Sequence, residues 1–309
     1  MISPAHPVLI LAGPTAVGKS SLAMKVAHAV GGEIVSADSR QVYRGLSIGT
    51  AKPSASDRQR IPHHFLDILD PGQPYSAGQF AEDARHAIHA IQTRGNVPIV
   101  TGGSTLYVHA LVAGLADLPP LAPSTLRDVE AEASTAEGRE ALFAELLAAD
   151  PTTADTLDAT KTQRLIRFVG LLREHGSLPS EAWRHAQPGI PHELVVLERP
   201  RPELYQRINA RVKEMIDQGL VEEVQRLAGS APHALPLLQA TIGYREVLTH
   251  LAGEGSEAHM IERIQTHSRR YAKRQLTWYR RYDHARWLSA GTERTLQELT
   301  ALASSSNNA

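Results

Sequence analysis

Residues 8–20 read Val8-Leu9-Ile10-Leu11-Ala12-Gly13-Pro14-Thr15-Ala16-Val17-Gly18-Lys19-Ser20. Val8 to Ala12 is a short apolar run of branched side chains, the pattern of a strand buried on both faces of a parallel sheet. Gly13, Gly18, Lys19 and Ser20 satisfy G-x-x-x-x-G-K-[ST] without a gap. Beyond them Leu22, Ala23, Val26 and Ala27 recur at helical spacing. A glycine-bounded loop between a strand and a helix is the setting a phosphate-binding loop requires. Its backbone N–H groups turn inward around an anion, and the helix N-terminus adds partial positive charge. Gly13, Pro14, Thr15, Ala16, Val17, Gly18, Lys19 and Ser20 are therefore the candidate diphosphate- or nucleotide-binding residues. Lys19 supplies a mobile cation, and Ser20 a hydroxyl for a magnesium ion.

The rest of the composition narrows the setting. The chain has 309 residues, enough for one large domain or two modest ones, with 42% hydrophobic and 21% charged residues. That is the balance of a globular protein. The formal net charge is -1, so any basic surface must be local. With no cysteine, disulfides, thiolate zinc sites and cysteine nucleophiles are excluded. No stretch approaches the length of a membrane span, and the apolar run at Val8 lacks a basic leader. A cytoplasmic, monomeric enzyme is expected.

Along the chain, Glu33 to Ala37 reads as a second strand ending at Asp38-Ser39-Arg40-Gln41-Val42-Tyr43. Ligands bind at strand carboxyl ends in an open parallel sheet, which places Asp38 where chemistry happens; capping of a following helix is the plainer role. Ser47 to Pro53 is a turn-rich loop carrying Lys52. Adjacent His63 and His64 lack the third ligand that a metal site needs, which favours a structural or substrate-loop role. Ser76 is a plausible cap for a helix marked by Phe80, Ala84, Ala87, Ile88 and Ile91. Val97 to Val100 is the next strand, ending in Thr101-Gly102-Gly103-Ser104-Thr105. P-loop kinases close such a strand with an aspartate that helps hold magnesium. Here hydroxyls and backbone amides stand in its place, which argues against routine phosphoryl transfer.

Leu118 to Pro123 is a proline-rich linker. From Ser124 to Pro188 the pattern is wholly helical. Within it Lys161, Arg164 and Arg167 lie close together at a helix start, either as a solvated face or as a polyanion contact. His192 to Leu197 returns as a strand. Arg201 to Leu227 reads as one long helix, with Arg207 and Arg211 four apart on a shared face. Near the end Arg269, Arg270, Lys273, Arg274, Arg280 and Arg281 interleave with Tyr271, Trp278, Tyr279 and Tyr282. Cations mixed with flat aromatics suit a phosphate backbone and unstacked bases; packing of a basic helix on the domain is the alternative. The expected architecture is α/β. A P-loop nucleoside-triphosphate-hydrolase-like core with a parallel sheet and C-terminal helices occupies residues 1–117 and 190–303. An all-helical insertion fills 118–189, and 304–309 form a disordered tail.

In combination, G-P-T-A-V-G-K-S, D-S-R-Q-V-Y, G-T-A-K-P, H-H-F-L-D, G-G-S-T-L-Y, R-V-K-E-M-I-D-Q-G-L-V-E-E-V, I-G-Y-R-E and R-R-Y-A-K-R-Q-L-T-W resemble the tRNA dimethylallyltransferases, in that family's order. The resemblance runs from Val8 to about Trp278. It implies transfer of a dimethylallyl group from dimethylallyl diphosphate to N6 of the adenine just 3′ of the anticodon, in tRNAs reading codons that begin with U. Diphosphate leaves and Mg2+ assists. It also implies Asp38 as general base, Ser104 as an active-site hydroxyl and Arg211 as a diphosphate ligand beside the P-loop. Asp38, Ser39, Arg40, Gln41, Ser104, Arg127, Gln163, Arg164, Arg167, Ala240, Thr241, Ile242, Gly243, Tyr244 and Arg245 correspond to tRNA-binding positions, with the helical insertion clamping the anticodon stem-loop. Two departures stand out. Ser104 replaces the family's usual threonine, with Thr105 as an alternative hydroxyl, and the continuation after Arg167 differs from the usual one. Rival readings are a P-loop small-molecule or nucleotide kinase, and an adenylate isopentenyltransferase acting on free nucleotide.

Overall fold

The computed structural model describes residues 6–116, 118–157, 162–184 and 188–305. Among them the chain divides into two compact units, residues 113–189 and the remainder. The larger unit is built on six strands: β1 (Val8–Ala12), β2 (Gly32–Ser36), β3 (His63–His64), β4 (Val97–Thr101), β5 (His192–Glu198) and β6 (Arg286–Ser289). Their order is β3-β2-β4-β1-β5-β6, and every pairing is parallel. The P-loop strand is thus flanked on both sides, which is why β1, β2 and β4 are buried along their whole lengths.

Side-chain alternation divides the core between the two faces. Leu9, Leu11, Ile99, Val195 and Leu197 join Ala23, Val26, Ala27, Leu299 and Ala303 in one cluster, beneath the helices Lys19–Val30 and Glu293–Ser305. The helices Ala77–Thr93 and Thr105–Val112 pack together, the first of them against β2 and β4. Ser76 caps the first of these by accepting from Gln79 N, as its position in sequence predicts.

Two edge strands carry little sequence signal. β3 consists of the adjacent histidines, and their rings are engaged as structural groups. His63 Nδ1 lies 2.8 Å from Ile61 O, and His64 Nε2 donates to Glu33 at 2.7 Å. Burial pushes the Glu33 carboxyl up, but hydrogen bonds from Asn96, His64 and Arg94 outweigh it and hold the group below the usual range. β6 was hidden in the basic C-terminal stretch because its four residues, Arg-Trp-Leu-Ser, show no clean alternation.

The single long helix expected from Arg201 to Leu227 is two helices, Arg201–Asp217 and Leu220–Ser230. Gly219 sits between them at φ +94°, a left-handed conformation that ends the first helix and lets the second leave in a new direction. Val212, Leu220, Val224 and Leu227 then close on Val42, Tyr43, Leu46, Tyr244, Val247, Met260 and Ile264 as a second apolar cluster. This cluster anchors the segment that follows β2.

The smaller unit holds five helices among the described residues, Pro123–Glu132, Ala136–Ala149, Pro151–Thr156, Thr162–His175 and Pro179–Arg184, around Leu121, Val129, Leu142, Leu146, Leu165, Ile166 and Val169. Arg173 ties three of its helices together by pairing with Glu132 and Glu145. Lys161 lies outside the described residues. At the other end Ser304 and Ser305 belong to the last turn of the final helix rather than to a disordered tail; 306–309 lie outside the described residues.

Candidate active site

Parallel pairing fixes where the chemistry can sit. Leu11 is level with Thr101 and Ser36 is level with Thr101, so β1, β2 and β4 end within a residue of one another. The segments that follow them, the P-loop, Asp38 and Gly102–Ser104, therefore open on the same rim. This is the ligand-binding edge of such a sheet. The approach is close: a Cβ on Gly102 would lie 2.0 Å from Ala37 O, so only glycine lets the two strand-end loops touch. Ser104 N donates to Ala37 O at 3.1 Å and seals the contact.

Three arginines brace the P-loop. Arg199 Nε donates to Val17 O at 2.8 Å, Arg207 Nε to Ala16 O at 2.9 Å, and Arg211 to the Thr15 hydroxyl at 3.3 Å. They fix a loop in which Ala16 adopts φ +62°, a conformation that costs a non-glycine residue about 1 kcal/mol. Lys19 is buried and donates to Gly13 O and Pro14 O at 2.9 and 2.8 Å. Burial and the neighbouring Arg211 charge bring its pKa down to about 7, against the opposing pull of Asp38. Burial also lowers Arg211, again opposed by Asp38. Two desolvated basic groups thus face one carboxylate across the rim, a site shaped for a multiply charged anion. Ser20 is exposed at the start of the helix, so its hydroxyl is open to a cation arriving with that anion.

Asp38 caps a turn rather than a helix. Its Oδ1 accepts from Arg40 N at 2.9 Å and Gln41 N at 3.3 Å, and the segment stays a turn. Ser104 Oγ accepts from Ser39 N at 2.8 Å and donates to Ser39 Oγ at 2.9 Å. The serine hydroxyl is therefore already part of the Asp38 loop, whereas Thr105 begins the next helix. Gln41 accepts from Ser36 Oγ and donates to Thr50 O and Ala51 O.

Several residues that lie within the quoted motifs, but to which the sequence reading assigns no role in the site, organise these. Glu223, 2% exposed, accepts from Ser47, Ile48 and Gly49 N–H groups and from the Tyr244 hydroxyl at 2.6 Å. It holds the loop against which Gln41 rests. Lys52 is drawn inward to Tyr43 O and Asp67. Gln275 and Tyr271, from the helix Glu257–Tyr279, reach Gly103 O. A buried neutral amide 172 residues from its partner gives no sequence signal beyond membership of the stretch R-R-Y-A-K-R-Q-L-T-W.

The tRNA-binding positions expected from sequence divide into open and internal ones. Arg40 reaches Ala240 O at 3.5 Å, so these two distant stretches meet. Tyr244, by contrast, is fully buried and Thr241 nearly so, so their side chains serve the core; Gly243 is buried as well, while Ala240 is exposed and Ile242 and Arg245 are half-buried. Arg245 pairs with buried Glu246, which also accepts from His267 and Gly243 N. In the helical unit Arg127, Gln163 and Arg164 are exposed. Arg167 donates to Leu118 O and Pro119 O and so braces the linker. The interleaved aromatics at the C-terminus are largely internal as well: Tyr279 is buried, and Tyr271 is turned inward to Gly103. Trp278 and Tyr282 are half-buried. The cations Arg270, Lys273, Arg274, Arg280 and Arg281 do remain exposed.

Fold and site together define a P-loop enzyme whose rim opposes a carboxylate to an anion cradle and lacks the strand-end aspartate of a phosphoryl-transfer enzyme. The sequence pattern of the family described as IPP transferase matches residues 41–282. The chain is 45% identical over 289 residues to a tRNA dimethylallyltransferase of Salinibacter ruber, covering 92% of this chain and 88% of that protein. It is 42% identical to one from Chlorobaculum parvum, covering 95% and 97%. Among solved structures, the full-length tRNA isopentenylpyrophosphate transferase of Bacillus halodurans superposes with a TM-score of 0.70 at 30% identity, covering 98% of this chain and 97% of that one. A eukaryotic dimethylallyltransferase acting on tRNA gives 0.78 at 27% identity, covering 96% of this chain and 77% of that one. The chain belongs to the IPP transferase family of tRNA-prenylating enzymes.

Proposed function

We propose that this enzyme moves a dimethylallyl group from dimethylallyl diphosphate to the exocyclic N6 of the adenine just 3′ of the anticodon, in tRNAs whose codons begin with U. The observation that carries the reading is the placement of Asp38 on the same rim as the P-loop, opposite Lys19 and Arg211.

An adenine N6 lone pair is delocalised into the ring and attacks poorly. As the N6–carbon bond forms and the allylic carbon–oxygen bond breaks, the nitrogen becomes acidic and Asp38 takes its proton. A positioned base contributes about 10²–10⁴-fold. Negative charge gathers on the departing diphosphate, where the P-loop amides, Lys19 and Arg211 receive it. The P-loop therefore serves a leaving group, and no strand-end aspartate is needed to activate a phosphoryl acceptor. Ser104 fixes the turn that carries Asp38. To reach the rim the adenine leaves its stack, as bases do in other modifying enzymes. Arg40, Ser39, Gln41, Ala240 and Arg245 contact the anticodon loop, while Arg127, Gln163 and Arg164 on the helical unit meet the stem.

Magnesium is the divalent cation of this reading. Among the described residues no group of three His, Cys, Asp or Glu side chains could hold a metal. The exposed Ser20 hydroxyl fits an ion that keeps most of its water and is carried by the diphosphate. Bound there, it would neutralise part of the leaving group's charge. Among the described residues no helix is long and apolar enough to cross a membrane, and we assign the enzyme to the cytoplasm as a monomer.

One assay separates this reading from its rivals. With labelled dimethylallyl diphosphate and tRNA, AMP or ATP as acceptors, label is expected on tRNA alone. Label on free nucleotide, or consumption of ATP with phosphorylated product, overturns it. In the same assay Asp38→Asn is expected to lower turnover by about 10²-fold or more while tRNA binding is retained. Equal loss of binding and turnover would make Asp38 a structural residue.

A further inference from the structure

Gln275 is 1% exposed yet belongs to no apolar cluster, and its amide spans the two halves of the site. Its Oε1 accepts from Thr15 N at 2.9 Å, a P-loop amide 260 residues away in the chain. Its Nε2 donates to Gly103 O at 2.7 Å. Tyr271, one helical turn earlier, donates its hydroxyl to the same Gly103 oxygen at 3.0 Å. Around Gly103 the spacing is tight: a Cβ there would lie 3.1 Å from Gln275 Nε2 and 3.8 Å from Asp38 Oδ2. Gln275 therefore stands between the loop that grips the diphosphate and the carboxylate that faces the purine.

We infer that Gln275, supported by Tyr271, is a positioning residue that fixes the separation between the diphosphate loop and the Asp38 side of the site. The inference rests on the transfer reading given above.

The physical reason lies in the reaction's geometry. Donor carbon and acceptor nitrogen must approach in line, and each is held by a different strand-end loop. The strand ends alone leave those loops free to shift by fractions of an ångström. A buried amide with a donor and an acceptor pointing opposite ways is a strut of fixed length between them. The strut holds Thr15 N while Arg211 holds the hydroxyl of the same residue. A misplacement of about 1 Å in such a site costs on the order of 10²-fold in rate.

Three variants test this. Gln275→Met keeps the volume but removes both hydrogen bonds. Tyr271→Phe keeps the ring and removes one. Gln275→Glu, buried against the Gly103 oxygen, enters as the neutral acid, which still accepts from Thr15 N and donates to Gly103 O. With labelled donor and tRNA, kcat per folded site is expected to fall at least about tenfold for Gln275→Met and less for Tyr271→Phe, with KM for either substrate little changed. For Gln275→Glu kcat is expected to stay near the wild-type value at low pH and to fall below it as pH rises and the new carboxyl ionises, because the donor to Gly103 O is then lost. Loss of binding alone would not give kcat that pH dependence. Wild-type kcat in both Gln275→Met and Tyr271→Phe overturns the inference while wild-type transfer to tRNA stands. A Gln275→Glu enzyme as slow as Gln275→Met at low pH also overturns it. Absence of transfer by the wild-type enzyme overturns the underlying reading as well.

Discussion

Lys19 shows how much a single side chain's environment decides. Beyond its place in the motif, the structure adds its burial, the adjacent Arg211 and a pKa brought down to about 7. The free enzyme therefore holds Lys19 largely neutral above that pH. An arriving diphosphate brings negative charge within reach and restores the proton, so binding at pH 8 takes up a proton and weakens as pH rises further. Calorimetry of diphosphate binding at pH 8 in buffers of different ionisation enthalpy should show uptake approaching one proton per site. Zero uptake, or release, would place Lys19 outside the anion's field. Asp38 was legible at this scale because it follows a strand pattern directly. Gln275 and Glu223 were not, because each acts across a gap of more than 170 residues and carries no local pattern.

At the scale of elements, legibility followed burial. β1, β2, β4 and β5 stand out as apolar runs because both faces are covered, whereas β3 and β6 are short edges of histidine and mixed polarity. The break between Arg201–Asp217 and Leu220–Ser230 is the sharper lesson. Apolar spacing continues across it, and only the left-handed Gly219 marks the turn. That glycine sets the direction of the helix carrying Glu223 relative to the one carrying Arg211. Gly219→Ala is expected to destabilise by about 1 kcal/mol, read as a lower urea midpoint with unchanged slope. A raised midpoint would mean that a continuous helix is tolerated and that the turn carries no constraint. The aromatic residues of the C-terminal helix misled for the opposite reason: composition reports which side chains are present, not which face of a 23-residue helix they share.

For the molecule as a whole, a near-neutral chain carries its basic surface locally. Exposed cations gather along the C-terminal helix, whereas on the helical unit Arg127 and Arg164 share the surface with exposed carboxylates such as Asp128 and Glu130. If Arg127 touches a tRNA phosphate, Arg127→Ala should weaken binding uniformly across tRNAs and reduce the salt slope by about one; an unchanged slope would remove it from the interface. The division of labour between the P-loop and Asp38 is the claim on which the rest depends. Its most direct test is a crystal structure of the enzyme with an anticodon stem-loop and an unreactive thiolo analogue of dimethylallyl diphosphate. The account predicts the diphosphate cradled by residues 13–20 with Lys19 and Arg211 upon it, and the purine N6 about 3 Å from an Asp38 oxygen. A diphosphate bound away from Lys19, or an Asp38 turned from the amino group, would contradict it.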